Sequence, residues 1–146
     1  MRGLKNKKIV GSFYDGEEIN NLFKVVKNSK IELTVILAAF YGLRRSEVVG
    51  LKWDAIDFNN KSITIRHTVT GVSVEEKVII VEKDRTKNKA SHRTLPLVPQ
   101  FEDLLLKIKE QQYINRKICK KSYCSKYLKY IYLDEIGQRI KPEYIT

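Results

Sequence analysis

Cysteine is nearly absent: Cys119 and Cys124 are the two in 146 residues, and His67 and His92 are the two histidines. So little sulfur excludes a disulfide framework. With the histidines far from the cysteines and no paired spacing among them, no four-ligand set for structural zinc exists either. Both thiols are expected to be free, in a reducing compartment. Long apolar runs are missing too. The stretch Ile31–Tyr41 is too short to span a bilayer, and the basic start, Met1–Gly11, has no hydrophobic region behind it. The expectation is a cytoplasmic protein. Acids are scarce: 17 Asp and Glu face 28 Lys and Arg, for a net charge of +11 and a pI near 9.6. That imbalance favours a polyanionic partner, with a merely solvated basic surface as the plain alternative.

What is present fits one domain, and a chain of this size buries roughly 68–70% of the surface it exposes when unfolded. Residues 1–12 read as a basic arm or linker remnant, and residues 13–146 as the folded unit. Asp15 and Glu18 have capping-box character ahead of Ile19, Leu22, Phe23 and Val26, which predicts a helix over about residues 16–27. Ile31–Tyr41 is apolar except for Glu32 and Thr34 and predicts a helix buried nearly all round. Gly42 stops it. Ser46 is placed to cap a short second helix with Glu47 in its first turn, which leaves Arg44 and Arg45 in the bend between two packed elements. A guanidinium held there offers a planar fork of donors that suits phosphate oxygens.

Asn59-Asn60 is a turn signal, followed by a period-two strand over residues 62–69 with Ile63, Ile65, His67 and Val69 on one face. That periodicity makes His67 a structural, inward residue. Further strands are predicted over residues 77–82 and 93–97, the last at an edge because of Pro96. Together they predict an antiparallel meander. The fold class is therefore α+β, mainly helical with a small three-stranded antiparallel sheet. Between the second and third strands, residues 83–93 carry five Lys or Arg against one Asp, a cationic finger able to reach a backbone phosphate. Pro99 opens a long helix with Phe101, Leu104, Leu105 and Ile108 as its buried stripe. Residues 107–129 hold eight Lys or Arg and one acid, Glu110, either as a solvated face or as a nucleic-acid contact. Tyr113, Tyr123, Tyr127, Tyr130 and Tyr132 interleave with these lysines, at spacings better suited to packing than to base stacking. Two short strands around Glu135–Gly137 and a helix start at Pro142 complete the reading.

Three segments together resemble the catalytic domain of the tyrosine recombinases, as in phage and conjugative-transposon integrases. Gly42-Leu-Arg-Arg-Ser-Glu-Val-Val-Gly-Leu-Lys-Trp53 is similar to the family's first motif, which puts its first catalytic arginine on Arg44 and its acidic position on Glu47. Thr86-Lys-Asn-Lys-Ala-Ser-His-Arg-Thr-Leu-Pro96 is similar to the hairpin of the catalytic lysine, and places that role on Lys87 rather than Lys89. Leu133-Asp-Glu-Ile-Gly-Gln-Arg-Ile-Lys-Pro-Glu-Tyr144 resembles the approach to the second half of the site.

The resemblance implies double-stranded DNA as partner and strand exchange through a tyrosine nucleophile, with no metal and no nucleotide cofactor. Arg44 would stabilise charge on the phosphate, Lys87 would protonate the leaving 5'-oxygen, and Glu47 would orient Arg44 or its backbone. Arg45, Lys83, Arg85, Lys89 and Arg93 would contact the DNA backbone without reading sequence. The family's later His-x-x-Arg and nucleophilic tyrosine have no match here, and Tyr144 precedes their place. The chain is expected to be a catalytically incomplete fragment, monomeric off DNA, of proteins that assemble as tetramers on DNA. A noncatalytic DNA-binding module that regulates recombination is the alternative. An RNA-binding protein would want aromatic platforms on its strands, which offer almost none.

Overall fold

A computed structural model describes residues 16–84 and 93–141 of the chain. The expected basic arm, Arg85, Lys87, Lys89 and the helix start at Pro142 lie outside the described residues.

Helix α1 (Gly16–Val26) has Glu17 and Glu18 in its first turn and Lys24 in its last, which suits the helix dipole at both ends. It buries Val26 and lays Phe23 against the core. After a turn in which Asn28 adopts φ 66°, α2 (Glu32–Val35) runs into a π-helical turn, Ile36–Phe40. The widened turn is visible in the bond from Tyr41 N–H to the Ile36 carbonyl, 3.1 Å. Leu33, Ile36 and Leu37 are buried, whereas Ala38 and Ala39 are exposed. The run is thus buried on one side and not all round. Alanine is apolar enough to hide this in a sequence and small enough to cost little when exposed.

Helix α3 (Arg45–Val49) follows at once. Then come β1 (Ile56–Asp57), β2 (Ser62–Ile65), β3 (His67–Val74), β4 (Lys77–Asp84) and β5 (Arg93–Pro96). The β1–β2 turn is fixed by Asp57, whose carboxylate accepts from the N–H of Asn59 and Asn60 at 3.0 and 2.9 Å. The long helix α4 (Pro99–Cys119) has Pro at its first position and buries Phe101, Leu104 and Leu105.

A single three-stranded meander is not what forms. The predicted 62–69 strand is split at Arg66, and its halves belong to two sheets: β1-β2-β5 in one and β3-β4 in the other. Ile63 faces Ile56 on one side and Leu95 on the other, while His67 faces Asp84 across the β3–β4 hairpin. Arg66 leaves the ladders, with its guanidinium 3.3 Å from Asp54. Alternation survives the break, so Ile63, Ile65, His67 and Val69 are all buried as expected. Period-two patterning encodes which face a residue takes, not which strand it pairs with.

The main core joins α2, α3, the β1-β2-β5 sheet and α4 around Phe101, Ile36, Leu37, Val48, Ile63 and Leu105. Full burial of side chains of this size stabilises by about 1.5–3 kcal/mol each. A smaller cluster of Val49, Val69 and Tyr130, flanked by Ile80, Tyr127 and Leu133, seats the hairpin on the C-terminal segment. That segment pairs with the stretch just after α3, with Ile131 N–H on the Leu51 carbonyl at 3.0 Å and Trp53 N–H on the Lys129 carbonyl at 2.9 Å. Where two short strands were expected around Glu135–Gly137, a lone antiparallel bridge, Leu133 to Arg139, closes a tight turn. Asp134 takes over the hydrogen bonding there, accepting from Ile136 and Gln138 N–H at 3.0 and 2.9 Å.

Candidate functional site

Two glycines flank α3: Gly42 in the bend before it and Gly50 directly after it. Gly42 takes φ +71°, a conformation that stops the helix and that side chains other than glycine's resist. Gly50 lies where the backbone of β3 crosses α3: a Cβ there would sit 2.8 Å from the His67 carbonyl and 2.9 Å from Thr68 Cα. The sequence shows Gly50 within its motif but not this close approach, which only the tertiary packing creates. Between the two glycines, Arg44 is extended (φ −72°, ψ 156°) and forms the N-cap of α3.

Glu47, and not Ser46, caps this helix. Its Oε1 accepts the Arg44 backbone N–H at 2.8 Å, while the Arg44 carbonyl accepts from Glu47 and Val48 N–H at 2.9 Å each. This is the reaching-back half of a capping box. The Glu47 carboxylate is buried, at 1% residue exposure. The same Oε1 receives Nη2 of Arg93, the first residue of β5, at 2.7 Å.

The side chains of Arg44 and Arg45 point outward and are exposed. With Ser46 they line one open basin, whose opposite wall is Thr70, Gly71, Ser73 and Val78 of the hairpin. Among the described residues no ion pair engages the Arg44 guanidinium. The basin thus combines fixed positive charge with hydroxyl and backbone groups, the donor set that phosphate oxygens require. Lys83 is exposed on β4, its carbonyl accepting Thr68 Oγ1 at 3.4 Å. Arg93 is instead turned inward onto Glu47. Of the expected site residues, Arg44 and Arg45 share the basin, and Glu47 and Arg93 share a hydrogen-bonded pair beneath it.

A second polar cluster anchors the hairpin's root. His67 Nδ1 meets Asp84 Oδ1 at 2.5 Å and its Nε2 meets Tyr130 Oη at 2.9 Å. Tyr130 donates to Glu82 Oε1 at 3.0 Å, and Arg139 Nη1 reaches Glu82 Oε2 at 2.7 Å and Tyr130 Oη at 3.2 Å. The hydrogen bond from His67 holds the Asp84 carboxyl below the usual carboxylate range. For Glu82, burial pushes upward, but hydrogen bonds from Tyr130 and Arg139 outweigh it and leave the group lowered. Burial, aided by Glu82, pushes the Tyr130 hydroxyl up to about 12. His67 is inward, as its periodicity required, but no local pattern marks its partners. Asp84 lies 17 residues away in the chain and Tyr130 lies 63 away.

The remaining tyrosines divide between packing and exposure. Tyr123 and Tyr130 are buried, while Tyr113 is half exposed with Lys117 Nζ 4.7 Å from its ring centre. No helix among the described residues is long and apolar enough to cross a membrane. No group of three or more His, Cys, Asp or Glu side chains among them is arranged to hold a metal ion.

The bend thus presents Arg44 and Arg45 from a capped helix beside the β3–β4 strand pair. The chain belongs to the phage integrase family, whose model matches residues 12–144. It is 28% identical over 134 residues to a "Tyrosine recombinase XerC-like" protein of Caldanaerobacter subterraneus subsp. tengcongensis, an alignment that covers 87% of this chain and 34% of that protein. Among solved structures it is similar to the Tn1549 transposon integrase in complex with transposon right end DNA, with TM-score 0.60 and 15% identity over 92% of this chain and 41% of the other. The same integrase with a circular intermediate DNA gives TM-score 0.59 and 15% identity over 88% and 39% of the two chains. This chain therefore spans about a third of the length of the curated relative it matches. At such identities the structural likeness speaks for the fold, a tyrosine recombinase catalytic domain, while the family match is carried by the sequence.

Proposed function

We propose that this chain is the N-terminal part of a tyrosine recombinase catalytic domain and takes part in site-specific recombination and integration of DNA in the cytoplasm. Residues 13–146 form this unit behind a basic arm at residues 1–12. The observation that carries the reading is Arg44: an exposed guanidinium with no ion pair among the described residues, on a backbone locked by a buried carboxylate, facing a basin of phosphate-binding character. The reaction needs a tyrosine oxygen to displace the 5'-oxygen at a DNA phosphate, with later reversal on another strand, so the phosphodiester bond energy is conserved in the covalent intermediate. Arg44 supplies donors to the nonbridging oxygens, where negative charge grows in the transition state. Lys87 supplies the proton to the departing 5'-oxygen. Glu47 acts on the backbone of Arg44 and takes no part in proton transfer, since a carboxylate at the phosphate would oppose the charge being stabilised. Arg45, Lys83, Arg85 and Lys89 add phosphate contacts without reading sequence.

No metal or nucleotide enters this scheme, and the nucleophile is not assigned to any residue of this chain. The chain by itself is accordingly inactive in cleavage and monomeric off DNA, with tetramers forming on DNA in the whole protein. Duplex binding followed by fluorescence anisotropy across a salt series tests the reading. Log affinity should fall linearly with log salt, and Arg45→Met or Lys83→Met should each reduce that slope by about one. Salt-independent binding, or none, defeats it.

A further inference from the structure

Arg93 belongs by sequence to the cationic run that would grip DNA, yet its geometry sets it apart. Its Nη2 lies 2.7 Å from Oε1 of Glu47, a carboxylate with 0% of its side chain exposed. The same oxygen accepts the Arg44 N–H at 2.8 Å. Arg93 opens β5 and pairs with Ile65 of β2, so its backbone is tied into the sheet whose side chains fill the main core. Glu47 meets Arg44 through the backbone N–H. Burying a carboxylate this deeply is costly unless a cation is held against it, and Arg93 is held there. Without Arg93 it would compete for the guanidinium of Arg44, whose backbone N–H it already holds. Paired with Arg93, it does not, and the positive charge of Arg44 stays available to the basin.

We propose that Arg93 is a positioning residue of the phosphate site, acting on Arg44 through Glu47, and is not a DNA-phosphate contact like its basic neighbours. The inference rests on the reading of Arg44 as the phosphate-binding arginine, and its test separates the two.

In the free protein, hydrogen exchange of the Arg44 amide, followed by NMR, reports the Glu47 cap directly. Arg93→Met should speed that exchange by about tenfold or more. Arg93→Lys should lie between. Adding Glu47→Gln to Arg93→Met should slow the exchange again, because the amide oxygen still accepts but no charge is left buried. Should Arg93→Met alone fail to fold, the double variant against wild type and Glu47→Gln supplies the comparison: exchange equal to that of Glu47→Gln supports the role, and further loss overturns it. Unchanged Arg44 exchange in Arg93→Met also overturns it.

With duplex DNA, Arg93→Met should leave the slope of log affinity against log salt unaltered while Arg45→Met lowers it by about one. A drop of about one for Arg93→Met makes Arg93 a phosphate contact and defeats the proposal. If wild type shows no salt-dependent duplex binding, the DNA reading fails, and the Arg44 amide still decides the role of Arg93.

Discussion

Glu47 carries two hydrogen bonds on one oxygen with its side chain wholly buried, so its loss should be felt in folding as well as in function. Glu47→Ala would strip the cap from Arg44 and the partner from Arg93. Because Arg93 keeps part of its side chain in water, the expected loss is moderate, about 2 kcal/mol, readable as a lower urea midpoint. Gly50→Ala tests a different force. Its new methyl would meet backbone on two sides within 3 Å, with no flexible side chain to yield, so α3 and β3 must separate. Destabilisation of about 1–3 kcal/mol is expected, again by denaturant titration. The sequence made Arg44 legible as a residue in a bend, because Gly42 interrupts an apolar run. It could not say which neighbour caps the helix. Ser46 and Glu47 are both suited to a helix start, and the choice turns on the extended backbone of Arg44, which is settled by packing.

At the level of elements, the helices were readable because their apolar stripes are local, and α4 has the stripe and the Pro99 start its sequence implies. The strand stretches at residues 62–69, 77–82 and 93–97 were readable too, but β1 was not, nor were the strand partners, and the pair expected around Glu135–Gly137 is a single bridge. The hairpin's anchorage through His67, Tyr130, Glu82 and Arg139 assembles groups from the sheet and the C-terminal segment, and no local pattern announces it. Asp84 and Glu82 are both lowered in the folded state, so the stability they give is present above the ordinary carboxylate range and is lost as pH falls through their folded values. Amide protection factors in β3 and β4, corrected for intrinsic exchange, should therefore fall on acidification below about pH 4, ahead of those in α4. Tyr130→Phe removes the donor to Glu82 and the partner of His67 Nε2. It should cost about 1–3 kcal/mol and speed exchange at the hairpin root selectively.

For the whole molecule, the charge of +11 is the broadest signal, and it was plain in the composition. Its distribution was less plain, since Arg93 is held by Glu47 and Arg139 by Glu82. Incubated with nicked suicide substrates, this chain should bind without leaving a protein–DNA band on a denaturing gel. Such a band would show that a nucleophile lies within these residues.

The split at Arg66 has a topological corollary. Side-chain parity runs unbroken from Ile65 through to Val69 although the strands on either side change. Excising Arg66 alone would reverse the hairpin's inside and outside at a stroke, turning His67 and Val69 to water and bringing the exposed Val72 and Ile79 toward Tyr130. One residue between two sheets thus works as the parity bit of the hairpin.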